Sequence, residues 1–259
     1  MSTGTQDANG TTLAQRYVDV KSRIAAAANR AGRRGDDVML VVVSKSGTVD
    51  QVRELMQLGQ VDFAENRVQQ LVQRAAQVDE WRMRRIELAG EAPLVRWHMI
   101  GSLQRNKVKK VIECTRLVHS VDSLRLAEEI QSAASRRETP VEVLVEVNVA
   151  GESSKAGVAP GAAKHLVAQI ETMVNVRARG LMCMAPLEGG LDAARAAFER
   201  CRELYEDVRQ SGAGGARFDI LSMGMSGDFE AAVECGSNLV RVGGAVIGPP
   251  QVFEDPADA

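Results

Sequence analysis

The sequence predicts an α/β fold, a (β/α)8 barrel with one extra helix in front of it. Eight apolar runs of strand length each lead into helical periodicity or the chain end, and eight βα units are the number that closes a parallel barrel. The chain has 259 residues, near the usual size of about 250 for such a barrel. The first strand is followed by SKSGTVD rather than a Gly-rich dinucleotide turn, which argues against the competing doubly wound sheet.

A helix from about Leu13 to Ala31 comes first. Val38–Val43 (VMLVVV) reads as a strand buried on both faces of a parallel sheet. Thr48 caps the next helix, which carries Val52, Leu55 and Met56 on one face and ends before Gly59. Val61–Glu65 is the second strand, followed by a helix marked by Val68, Leu71, Val72 and Ala75. Asp79–Pro93 (DEWRMRRIELAGEAP) reads as a loop elaboration before the third strand, Val95–Ile100. Leu117–Val121 is the fourth, and Asp122 or Ser123 caps the helix of Leu124, Ala127 and Ile130. Val141–Val149 is the fifth, with Leu166, Val167, Ile170 and Met173 on the helix after it. Val176–Met184 is the sixth. Its helix places Leu191, Ala194, Phe198, Cys201, Tyr205 and Val208 at the three-and-four spacing of one face. Phe218–Met225 is the seventh, a short helix Asp228–Cys235 follows, and Leu239–Ile247 is the eighth. No Pro/Gly/Ser linker divides the chain, so residues 11–248 read as one domain, with 1–10 and 249–259 as flexible tails.

Composition excludes several function classes. The chain is 45% hydrophobic with a formal charge of −2, so no basic excess points to nucleic acid or an anionic membrane. The start, MSTGTQDANG, lacks the basic and apolar segments of a signal or transit peptide, and no apolar stretch could cross a bilayer. A cytoplasmic location is expected. Cys114, Cys183, Cys201 and Cys235 show no CxxC spacing and read as reduced, mostly buried thiols. His98, His119 and His165 are too scattered for a metal site. The basic groups Arg105, Lys107, Lys109, Lys110 and Arg82, Arg84, Arg85 read as solvated faces. Met182, Met184, Met223 and Met225 read as packing residues, and Asp219 with Asp228 is a candidate carboxylate pair whose separation is open. No surface stripe marks an interface, so a monomer or weak dimer is expected.

In a barrel the chemistry lies where the strand C-termini meet. Lys45 closes the first strand: a desolvated amine there loses basicity and can attack an aldehyde, although a strand-end lysine can also simply snorkel to water. Phosphate sites in barrels commonly follow the seventh and eighth strands. There Ser226 offers a hydroxyl ahead of a short helix, and Gly243 and Gly244 let an anion approach their amides; the same glycines could merely serve a tight rim. An amine facing a phosphate cradle fits a phosphorylated aldehyde, of which pyridoxal 5′-phosphate (PLP) is the obvious one.

The segments VVVSK, FAENRVQQL, WHMIGSLQRNK, HSVDS, EVNVAGESSKAGV, RGLMCMAP, LSMGMSGDFEAAVECGS and VRVGGAVIG, in that order, resemble the pyridoxal phosphate homeostasis protein family. Its members are single-barrel relatives of the N-terminal domain of alanine racemase, and the resemblance runs from about Val38 to Gly248. It implies a fold-type III PLP barrel with a Schiff base on Lys45 and a phosphate near Ser226, Gly243 and Gly244. Arg241 would face the pyridine nitrogen, Asn66 would lie beside the ring, and His98 and Met225 complete the cofactor-binding set. Three departures bear on affinity: Ala64, Arg67 and Gln70 stand where Gly, Tyr and Glu are usual, Gly244 where a hydroxyl residue is usual, and Ile247 where an aromatic is usual. The implied role is a carrier or regulator of PLP, with PLP-dependent apo-enzymes as partners and no catalytic residues. The alternatives are an amino-acid racemase and a barrel-shaped interaction module that binds nothing. Racemisation needs a base on each face of the α-carbon. Neither Tyr17, on the first helix, nor Tyr205, on a buried stripe, is expected at the mouth, and the C-terminal domain that supplies alanine racemase's second base is not expected here.

Overall fold

Parallel strands buried on both faces need an outer cover of helices and a filled interior. The computed structural model describes residues 10–152 and 156–249 and shows that arrangement. Eight strands close a barrel in sequence order: β1 (Met39–Val43), β2 (Asp62–Glu65), β3 (Arg96–Met99), β4 (Thr115–Val121), β5 (Val141–Glu146), β6 (Val176–Met182), β7 (Ile220–Ser222) and β8 (Leu239–Val242). β8 closes on β1 in parallel register, Met39 beside Leu239 and Val42 beside Val242.

Two apolar layers follow from the period-two alternation of the strands. Val42, Phe63, Trp97, Val118, Val143, Leu181 and Val240 point outward to the helices. Val41, Val43, Ala64, Leu117, Leu144, Met182 and Leu239 fill the interior. The same inner face carries a buried polar set, Asp62, His98, His119, Glu146, Ser222 and Arg241. Burial of such groups requires partners, and those partners shape the site below.

The outer ring consists of α2 (Val49–Gln57), α3 (Val68–Ala89), α4 (Val108–Ile112), α5 (Leu124–Ala133), α6 (Pro160–Glu171), α7 (Gly190–Gln210), α8 (Phe229–Glu234) and α9 (Gly244–Ile247). Thr48 caps α2 in a box with Gln51, as its sequence position predicts. The extra helix α1 (Leu13–Arg30) covers the side where α8 and α9 are short. Arg16 donates to the Val246 and Ile247 carbonyls at 3.0 Å each, and Arg33 donates to Val233 and Ser237 at 2.8 and 2.7 Å.

The structure corrects several boundaries. Most of Asp79–Pro93 is the second half of α3, not a loop. Charges break the apolar stripe after Val78, yet Asp79–Arg82 and Glu80–Arg84 pair along the helix, and Trp81 lies under Arg53 and Arg85. Gly90, at φ 76°, ends it. The fifth strand stops at Glu146, because the chain turns back and Val147 bridges to Val158. The sixth stops at Met182 and the seventh at Ser222; the eighth stops at Val242, where Gly243 leaves extended geometry and α9 begins. Ser123 is the α5 N-cap position, though its hydroxyl bonds Asp122 rather than the helix. The expected tails fall almost wholly outside the described residues, as do Ser153–Lys155.

Gly180 of β6 tests the closure. A Cβ there would overlap the Ile220 carbonyl of β7. Gly180→Ala is expected to destabilise the fold by about 3 kcal/mol, measured by urea unfolding; a change within about 0.5 kcal/mol, the range of an ordinary surface substitution, would contradict the close β6–β7 contact.

Candidate functional site

Lys45 sits in a turn at the end of β1, where the Gly47 amide donates to the Ser44 carbonyl at 2.8 Å. The turn is clamped from below. Ser44 Oγ donates to Glu65 Oε1 at 2.7 Å, Arg74 of α3 pairs with the same oxygen at 2.9 Å, and Arg74 also donates to the Gly47 carbonyl at 2.9 Å. Burial raises the Glu65 pKa, and the Ser44 hydrogen bond with the Arg74 and Lys45 charges offsets this only in part. Lys45 itself is exposed at the mouth. The desolvated amine expected from the sequence is therefore corrected: the clamp on its backbone positions it, and burial plays no part.

β8 and the loop beyond it lie against β1. Arg241 is 3% exposed on the inner wall. Its Nη1 donates to Ser222 Oγ at 2.6 Å and its Nη2 to the Cys183 carbonyl at 2.9 Å. Burial lowers its pKa. Beyond it, the Gly243 and Ala245 amides converge on Ser226 Oγ at 3.2 and 3.3 Å. The Ser226 hydroxyl thus faces the β8 loop, not the start of α8, whose cap position is Asp228. A Cβ on Gly243 would stand 3.2 Å from the Val43 carbonyl, while one on Gly244 would meet only Ser226 Oγ, at 4.0 Å. Open space therefore borders Gly244 next to the Ser226 hydroxyl, where a small anion can approach.

The structure thus brings Lys45, Ser226, Arg241, Gly243 and Gly244 to neighbouring strand ends. Asn66 is half-buried just past β2, pressed on by Gly101, where a Cβ would overlap the Asn66 carbonyl. Met225 is exposed on the loop after β7, its amide donating to Asp228 Oδ1 at 2.6 Å. His98 is not at the mouth. It lies in the barrel interior, with Nε2 at 3.0 Å from Asp62 Oδ1 and Nδ1 at 2.9 Å from His119 Nε2. His119 Nδ1 lies 3.2 Å from Ser222 Oγ, so His98 reaches Arg241 only through two other residues. The expected Asp219–Asp228 pair does not form: Asp219 binds Arg179 at the far end of β7, and Asp228 caps the mouth loop.

The polar interior is what reasoning on the apolar runs missed. Asp62 and Glu65 stand at the two ends of DFAE, and a carboxylate in a buried strand was the available signal. Burial opposes the Asp62 charge, but hydrogen bonds from His98 and Arg96 outweigh it and hold its pKa low. Burial lowers the His98 and His119 pKa values. Glu146, at the end of β5, is pushed up to about 7 by burial and by the Asp122 charge, against the pull of Arg241. A groove of about 340 Å3 lined by Tyr17, Lys21 and Gln60 lies at the opposite end of the barrel and carries none of the mouth groups. Among the described residues, no cluster could hold a metal ion and no helix is long and apolar enough to cross a membrane.

Residues 19–250 match the family described as alanine racemase, N-terminal domain. A pyridoxal phosphate homeostasis protein of Pseudomonas aeruginosa is 38% identical over 237 residues, covering 92% of this chain and 95% of that protein. PipY of Synechococcus elongatus PCC7942 has been solved without PLP (TM-score 0.78, 30% identity) and with PLP bound (0.76, 29%); each comparison covers 92% of this chain and all of that one.

The buried titratable groups set a pH signature. Glu146's contribution to stability is present below its ordinary 4.5 and lost as pH rises toward about 7. That of neutral His98 and His119 is present above their ordinary 6.5 and lost as pH falls below it. Thermal melts of Glu146→Gln against the parent chain should show a Tm difference, parent minus variant, that falls as pH rises between 4.5 and 7. A difference independent of pH would show that Glu146 is not buried as described.

Proposed function

This chain belongs to the pyridoxal phosphate homeostasis protein family, built on the alanine racemase N-terminal domain, and on that premise we propose that it binds PLP at the mouth of its barrel and acts as a carrier or regulator of the cofactor. The observation that supports the reading is that Lys45, the Ser226–Ala245 contacts and the buried Arg241 guanidinium belong to adjoining strands and the loops just beyond them.

When bound, PLP supplies an aldehyde that an amine captures with loss of water, and a ring that can draw electrons from the captured carbon. The residues of the chain divide the binding work. Lys45 offers the attacking nitrogen, its turn held by Ser44, Glu65 and Arg74. Ser226 and the amides of Gly243 to Ala245 would hold the phosphate, and Gly244 contributes no hydroxyl. Arg241 would present N–H groups to the ring nitrogen; because a guanidinium only donates, it would favour an unprotonated nitrogen and so a weaker electron sink. Asn66 and Met225 would border the ring.

The tyrosines support a carrier over a racemase. Tyr17 Oη donates to Gln60 ahead of β2 at 3.2 Å, and Tyr205 stacks on Phe218 ahead of β7. Both lie at the end of the barrel away from Lys45, so neither can serve as a second base there. Transfer of PLP to apo-enzymes, a cytoplasmic location and a monomeric or weakly dimeric state belong to the same proposal.

Borohydride treatment of the PLP-loaded protein followed by peptide mapping should place the adduct on Lys45, and Lys45→Ala should abolish it while leaving the circular dichroism unchanged. An adduct on Lys107 or Lys155 would refute the assignment. Gly243→Val sets side-chain atoms against the Val43 carbonyl, so the loop that carries the cradle amides must shift. It should weaken PLP about tenfold, through lost amide bonds to the phosphate, and leave unphosphorylated pyridoxal unaffected. Equal losses for the two ligands would remove the cradle from the reading.

A further inference from the structure

A continuous row of hydrogen bonds crosses the barrel interior from Arg241 at the mouth to Arg96 near the opposite end. The links are Arg241 Nη1 to Ser222 Oγ (2.6 Å), Ser222 Oγ to His119 Nδ1 (3.2 Å), His119 Nε2 to His98 Nδ1 (2.9 Å) and His98 Nε2 to Asp62 Oδ1 (3.0 Å). Arg96 closes it with Nε and Nη2 on the two Asp62 oxygens, at 2.8 and 2.5 Å. Ser222, His119, His98 and Asp62 are all buried, and they come from four different strands.

The ends determine the direction. A guanidinium can only donate, and an ionised carboxylate can only accept. Asp62, held ionised by Arg96, requires a proton on His98 Nε2. A neutral His98 then accepts at Nδ1, which requires a proton on His119 Nε2. His119 in turn accepts at Nδ1, so the Ser222 hydroxyl donates to it. That leaves a Ser222 lone pair for Arg241, and every link has one donor and one acceptor. Two other arrangements satisfy the same links. An imidazolium at His98 would donate from both nitrogens and force His119 to carry its proton on Nδ1, and an imidazolium at His119 would donate to both His98 Nδ1 and Ser222 Oγ. Either would place a further positive charge in an interior that already holds Arg241, close to Arg96 and Arg116, and burial opposes that charge.

We propose that Ser222, His119, His98 and Asp62 are positioning residues, a one-way hydrogen-bond chain that fixes the Arg241 guanidinium at the angle from which it meets the cofactor's ring nitrogen. This rests on the reading that Arg241 faces that nitrogen. An arginine has five N–H donors, and the chain and the Cys183 carbonyl engage Nη1 and Nη2. The plane of the group is thereby set before any ligand arrives.

The direct test reads the wild-type protein without ligand. Long-range 1H–15N spectra of the histidine rings should show His98 and His119 both neutral and both protonated on Nε2. An imidazolium at His98, or a proton on Nδ1 of His119, would overturn the one-way chain. A second arm uses the loaded protein. Ser222→Ala removes the first link and touches neither Lys45 nor the cradle. It should shift the absorption band of the bound cofactor and weaken PLP and pyridoxal by the same factor, about tenfold, since one bond to a charged group is lost. The equal loss separates it from Gly243→Val. If Arg241→Gln changes neither spectrum nor affinity, the placing of Arg241 fails. If Arg241→Gln has an effect and a folded Ser222→Ala has none, Arg241 acts without the chain and the inference falls.

Discussion

Everything at the mouth of this barrel depends on how a guanidinium is held inside it. Arg241 lies on the inner wall at 3% exposure, where an unpartnered charge would be costly. Among the described residues no carboxylate pairs with it directly. Its immediate partners are a serine hydroxyl and a backbone carbonyl; Asp228 and Glu146 act on it from a distance, and the row of hydrogen bonds from Ser222 ends three links further on, at Asp62. Such an arrangement satisfies donors while leaving the guanidinium charge undiminished for a ligand. An adjoining carboxylate would have consumed the donors that a ring nitrogen needs. The interior is therefore divided, with an apolar layer from Val41, Leu117, Leu144 and Met182 and a polar row threaded beside it.

The mouth is assembled from backbone constraints more than from side-chain chemistry. Lys45 is held through its turn, by Arg74 on the Gly47 carbonyl and by Ser44 on Glu65. The cradle is made of amides that already converge on one oxygen, that of Ser226. The missing Cβ of Gly243 lets β8 lie against Val43, which is what brings the cradle beside the first strand. A site of this kind keeps its shape without a ligand, so little ordering cost falls on binding. That suits the carrier role proposed above.

The barrel was legible because each strand is short, apolar and followed by helical periodicity, a pattern that leaves few topologies. The reading failed where local pattern and tertiary contact disagree. Charged residues mask the second half of α3, since its stability comes from pairs along its own surface and from Trp81 stacking. Strands were drawn too long at their C-terminal ends, since apolar residues such as Val149 and Val246 continue into loop and helix. Within the site, Lys45, Ser226 and the glycines follow from position at strand ends alone. His98 does not, because a histidine at the mouth and one two links beneath it read alike in sequence. Arg74 lies on a helix and Asp62 at the start of a strand, where no strand-end rule looks.

A crystal structure of the full chain grown with PLP would test the proposal that Lys45, the Ser226–Ala245 loop and Arg241 form a single PLP site. Expected are continuous density from Lys45 Nζ to the cofactor, the phosphate beside Ser226 Oγ and Gly244, and the ring nitrogen within hydrogen-bond distance of Arg241. PLP joined to another lysine, or a phosphate lying outside the cradle, would contradict it.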